Sequence, residues 1–78
     1  MTGLRARRLL GAALNLASEA AQAALAYPVN VFAGIVLDAV ADEAEDVNRE
    51  LERDDSEAPL EVLTERLRIA RSIFELAR

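Results

Sequence analysis

The chain has no cysteine, histidine, tryptophan or lysine, and each absence removes a class of chemistry. Without cysteine there are no disulfide staples, thiolate metal sites or thiol nucleophile. Without histidine the usual general base and the commonest metal ligand are missing. Punctuation is sparse, with Pro28 and Pro59 the only prolines and Gly3, Gly11 and Gly34 the only glycines. No alternating apolar and polar run of four to eight residues bounded by turn signals occurs, which leaves strands without support.

What remains is a chain of 78 residues, 53% hydrophobic and 29% charged, with a net charge of −5. That is one domain, spanning residues 1–78, at the small end of what folds unaided, and too apolar for a disordered tail. All nine basic residues are arginine, and alanine supplies 16 positions. The acidic balance argues against binding a nucleic-acid backbone.

The spacing predicts an all-α fold with helices at about 4–26, 29–53 and 59–77. The first carries a stripe of mostly small residues, Ala6, Leu10, Ala13, Ala17, Ala20 and Ala24, opposite Arg8, Asn15, Ser18, Glu19 and Gln22. Small side chains let a neighbouring helix approach closely. In the second, the expected seam is Val29, Ala33, Val36, Val40, Ala44, Val47 and Leu51. Its first half is apolar on almost every face, with Val31, Phe32 and Ile35 off the seam, and its second half is acidic at the back. A helix apolar all round needs cover on more than one side.

The run from Asp54 to Pro59 is the clearest break. There Ser56 is expected to cap the third helix, with Glu57 and Pro59 suiting its first turn. That helix has a seam of Leu60, Leu63, Leu67, Ala70, Phe74 and Ala77, spaced like a coiled coil. Beside it lies a second patch of Val62, Ile69, Ile73 and Leu76. Tyr27-Pro28 permits either a hairpin turn or a kink in one long helix; the hairpin is expected.

Charge divides unevenly: +2 over residues 1–26, −8 over 27–57 and +1 over 58–78. Antiparallel packing would set Arg5, Arg7 and Arg8 beside Val47–Glu52, and would place Arg66 next to Asp46. Helical spacing further predicts pairs from Glu45 and Asp46 to Arg49. Such pairs set orientation more than stability, at about 0–1 kcal/mol each when exposed.

Several motifs have a functional and an ordinary reading. Asp38, Asp42 and Glu45 share a helix face that could hold Mg²⁺ or Ca²⁺, but carboxylate-bridged bundles add histidines, so a solvated face is expected and no metal or other cofactor is assigned. The hydroxyls of Thr2, Ser18, Tyr27, Ser56, Thr64 and Ser72 have no histidine to activate them, and no glycine-rich phosphate loop exists, so catalysis is not expected. Arg5, Arg7 and Arg8 followed by an apolar stretch resemble a signal peptide, interrupted by Asn15, Glu19 and Gln22. Residues 20–37 are uncharged and reach the lower limit for a membrane span, yet include Gln22, Pro28 and Asn30. An amphipathic helix on anionic lipid is a further possibility. A basic helix start neutralised by its neighbour requires none of these.

The stretch Leu25-Ala26-Tyr27-Pro28 through Gly34-Ile35-Val36, followed by the Ala/Glu-rich helix to Leu51, is faintly similar to the small gas-vesicle accessory proteins of the G type. The likeness covers about a third of the chain. It implies an accessory role at a particle surface and assigns no functional residue.

The combined expectation is an up-down-up three-helix bundle, or a helical hairpin plus a C-terminal helix, completed by self-association. It would be a cytoplasmic, non-catalytic interaction or assembly protein working through Val31, Phe32, Ile35, Val62, Ile69, Ile73 and Leu76. Its partner would be itself, as a homodimer or larger, or another protein. The alternatives are a membrane- or particle-surface accessory protein using residues 4–37, and an acidic inhibitor using residues 38–57.

Overall fold

The computed structural model describes residues 3–26, 31–53 and 59–77. They form three helices and no strand: α1 (Leu4–Ala26), α2 (Val31–Glu52) and α3 (Leu60–Ala77). Tyr27, Pro28 and the Ser56–Glu57 cap lie outside the described residues. Even so, α2 packs along α1 as a separate helix, which makes a hairpin and excludes one long kinked helix. The uncharged residues 20–37 are therefore divided between the end of α1 and the start of α2.

The direction of each helix follows from its cross-contacts. Glu19 of α1 meets Arg71 of α3, and Ala12 and Arg8 share a groove with Thr64 and Leu60, so α1 and α3 run parallel. Glu43 of α2 meets Arg66, while Val36 and Val40 lie beside Ile69 and Ile73, so α2 and α3 run antiparallel. The arrangement is up-down-up, 41 Å long and 16–18 Å across. Contact is most extensive between α1 and α2, less between α2 and α3, and slight between α1 and α3.

This order reflects side-chain size. Ala6, Ala13 and Ala20 of α1 and Ala41 and Ala44 of α2 are all buried, and small residues allow helices close approach. Leu16, Leu37, Leu63 and Val47 are the largest fully buried side chains and fill the centre. On α3 the expected seam is the buried one: Leu63, Leu67, Ala70 and Phe74 are core, with Leu60 and Ala77 packed at its ends. Pro59 stands just before α3, its carbonyl accepting from the Val62 and Leu63 amides. Gly3, at φ 116°, precedes α1 in a backbone conformation that favours glycine, and its carbonyl accepts from the Arg7 amide.

On α2 the expected seam needs correction at its start. Leu37 is 0% exposed and Val36 is 36% exposed, so the core runs Leu37, Val40, Ala44, Val47, Leu51, joined by Ala41. This half of α2 is apolar all round, and periodicity there could not say which face turns inward. Packing decides it: Leu37, Ala41 and Ala44 turn into the common core, while α3 meets the side bearing Val36, Val40 and Glu43.

Candidate interaction surface

Two grooves flank α3, and they differ in chemistry. The groove between α1 and α3 holds about 500 Å³ and is lined by Ala12, Asn15, Leu16, Glu19, Thr64, Leu67, Arg68 and Arg71. Arg71 bridges to Glu19 at 3.0 Å and to Glu75 at 3.3 Å, and its guanidinium carbon lies 5.5 Å from the Phe74 ring centroid. Arg68 donates to Glu65 at 2.5 and 3.0 Å, and this pair holds the Glu65 carboxyl below its ordinary pKa. Ala12 and Thr64 continue the groove toward Arg5, Arg8, Leu9 and Leu60.

The second groove lies between α2 and α3, holds about 280 Å³ and is lined by Ile35, Val36, Ala39, Val40, Ile69, Ala70 and Ile73, with Glu43 and Arg66 at one end. Phe32 stands one turn before Val36 on the same side of α2, and Leu76 one turn beyond Ile73 on α3. These two are the most open, at 82% and 87% exposed. Of the seven residues singled out from sequence, the groove itself brings together Ile35, Ile69 and Ile73. Val31 lies toward the outer edge beside Ile35, and Val62 is two turns from Ile69 at the acidic end. All seven are exposed. Val36 and Ala39 belong to this surface too, and sequence periodicity had assigned Val36 inward.

The ion pairs also need correction. Arg66 meets Glu43, at 2.5 Å from Nη2 to Oε1 and 3.4 Å from Nε to Oε2, and does not bond Asp46. Asp46 follows Glu43 by three residues, which rotates it about 60° around α2 toward the outer wall of the groove that bears Ile35 and Ala39. Glu43 stands at i+7 from Val36 and i+3 from Val40, and that spacing was the signal that could have found it. The hydrogen bond to Glu43 raises the Arg66 pKa despite partial burial, with smaller contributions from the Glu43, Asp46 and Glu50 charges. Arg49 pairs with Asp46 as expected; no bond joins Arg49 to Glu45 among the described residues. Arg53 bonds Glu50 at 3.3 Å.

Arg5, Arg7 and Arg8 are exposed, and among the described residues no ion pair joins them to an acid. The expected neutralisation of this cluster by α2 is therefore not formed as direct pairs; Arg5 and Arg8 line the groove toward α3. Asp38, Asp42 and Glu45 are exposed on the outer side of α2, and no group of three acidic side chains among the described residues is close enough to hold a metal ion. α1 is long and apolar enough to cross a membrane by length and composition, with 17% of its most apolar window buried. Compared with known proteins, the chain matches no family model, no curated protein and no solved structure.

Proposed function

We propose that this is a non-catalytic helical interaction protein, cytoplasmic, whose docking surface is the apolar face between α2 and α3. The observation that carries the reading is the cluster of Phe32, Ile35, Val36, Ile69, Ile73 and Leu76, exposed together on one side of a bundle whose core is already filled. Scattered exposed apolar residues such as Leu4 and Leu14 are ordinary on any surface, whereas a contiguous apolar groove marks an interface. The chain's own core is small, and a domain of this size draws only about 3–5 kcal/mol from it, so covering the face adds stability the fold needs.

Light scattering on a sizing column tests this. We expect the full chain to exceed the 8.5 kDa of one copy. Changing Ile69→Asp together with Ile73→Asp should return it to that mass with helicity retained. Equal masses for the two proteins would sink the reading.

A second reading, an accessory protein at a membrane surface, is favoured by the apolar character of α1. Co-sedimentation with anionic vesicles, lost on changing Arg5, Arg7 and Arg8 to glutamate, would support it in place of the first.

A further inference from the structure

We propose that two copies of this chain join through the α2/α3 groove about a two-fold axis parallel to the helices, making an antiparallel four-helix bundle from α2, α3 and the partner's α2 and α3. This rests on the reading above that the face is the docking surface, and it supplies the occupant and the geometry. α1 of each copy lies outside the new bundle, against the buried side of α2.

The direction of the axis follows from how the groove is filled along its length. Antiparallel register sets Val36 near Ile73, Val40 near Ile69 and Glu43 near Arg66, so one end is apolar and the other carries the ion pair. A two-fold parallel to the helices keeps every residue at its own height. Apolar side chains then meet apolar side chains, and the ion pair meets its own copy. A two-fold perpendicular to the helices and centred on the groove inverts one copy and lays the Glu43–Arg66 pair against Val36 and Ile73, where neither charge meets a second partner.

Charge fits the same arrangement. Around a parallel two-fold the helices alternate α2, α3, partner's α2, partner's α3. The side chains at the level of the ion pair therefore alternate in sign: Glu43, Arg66, the partner's Glu43, the partner's Arg66. Each guanidinium gains a second carboxylate neighbour and each carboxylate a second guanidinium, where the isolated chain leaves both side chains more than a third exposed or nearly so, at 39% for Glu43 and 34% for Arg66. The size agrees as well. The exposed fractions of Val31, Phe32, Ile35, Val36, Val62, Ile69, Ile73 and Leu76 amount to on the order of 700 Å² of side-chain surface, against about 800 Å² per partner in a standard stable interface. An isologous dimer is also the commonest way a chain covers such a face.

Charge reversal across the interface tests the axis. In Glu43→Arg chains all four neighbours around the ring are positive, and in Arg66→Glu chains all four are negative. Each variant alone should run at the mass of one chain. Mixed one to one, the two variants bring opposite charges together at both contacts between chains, so their mixture should regain a mass twofold higher. Should either variant fail to fold alone, helix and mass should appear together on mixing, read by circular dichroism and light scattering. Wild-type chain at the mass of a single copy would overturn this inference and the docking reading with it. A wild-type dimer whose reversed variants stay dimeric, or stay monomeric when mixed, would overturn the axis and leave the docking surface standing.

Discussion

The two grooves beside α3 share that helix and differ in the other wall, α1 for one and α2 for the other, and water suits only the first. Between α1 and α3 the lining includes Asn15, Glu19, Thr64, Arg68 and Arg71; Arg71 donates to Glu19, Arg68 to Glu65 and Thr64 to the Leu60 carbonyl. Between α2 and α3 the lining is aliphatic except for Glu43 and Arg66. At roughly 25 cal/mol per Å², leaving the second groove wet forgoes far more free energy than leaving the first. A small bundle can thus keep one seam as a solvated surface and the other as an adhesive one. Six side chains on α2 and α3 make the difference.

The comparison breaks most completely when the core beneath both grooves is removed. Leu63 is 0% exposed at the centre of the bundle. Leu63→Ala should cost about 2–5 kcal/mol, comparable to the whole stability of the isolated domain, and a thermal melt by circular dichroism should show the helix signal lost or its midpoint sharply lowered. An unchanged midpoint would mean that α3 is not anchored where the structure places it.

A smaller effect separates the grooves directly. The Glu19–Arg71 pair is about half exposed on both sides, so Arg71→Ala should cost no more than about 1 kcal/mol and leave the oligomeric mass unaltered. Both quantities can be read on the same sample, by denaturant titration and light scattering. A change in mass would show that the α1/α3 groove is also an interface. The contrast is with the reversals at Glu43 and Arg66, which should change mass at similar local cost.

The smallest expected effect is a pH dependence on the polar side of α3. Arg68 holds the Glu65 carboxyl below its ordinary pKa, so the folded state favours the ionised form. Its contribution is present above the usual carboxylate range and is lost as pH falls through the lowered one. Both side chains are more than half exposed, so the difference should be slight. Glu65→Gln should flatten the acid limb of the melting curve against pH a little, and a steeper limb would contradict the assignment.

How much of this was legible from residue order varies along the chain. α3 was fully legible. Its seam from Leu60 to Ala77 alternates steps of three and four without a break, and it is the buried one, with the second patch of Val62, Ile69, Ile73 and Leu76 left exposed beside it. On α1 the stripe was legible at Ala6, Ala13 and Ala20, with Leu10, Ala17 and Ala24 partly buried, but Leu16, fully buried beside it, was not part of the expected stripe. The start of α2 was not, because Val31, Phe32, Ile35, Val36 and Leu37 surround the helix and any of several rotations would bury an equal share. The partner of Arg66 was missed for a different reason: the expected turn position set the antiparallel register of α2 against α3 about one turn off, and Glu43 rather than Asp46 stands opposite Arg66. The surface residues Phe32, Ile35, Ile69, Ile73 and Leu76 stood out in sequence as surplus apolar mass, but their gathering on one side could not be read there.

Residue order by itself determined that the chain is helical, where its helices run, and that it carries more apolar side chain than three short helices can hide. These are local properties, set by propensity, by the period of 3.6 residues and by composition. The tertiary structure decided which rotation α2 adopts between its two neighbours, and hence that Leu37 is core and Val36 is surface, and it set the register in which Arg66 faces Glu43. A helix apolar on every side has no preferred inward face of its own; only the small side chains of α1 on one flank and the seam of α3 on the other fix it.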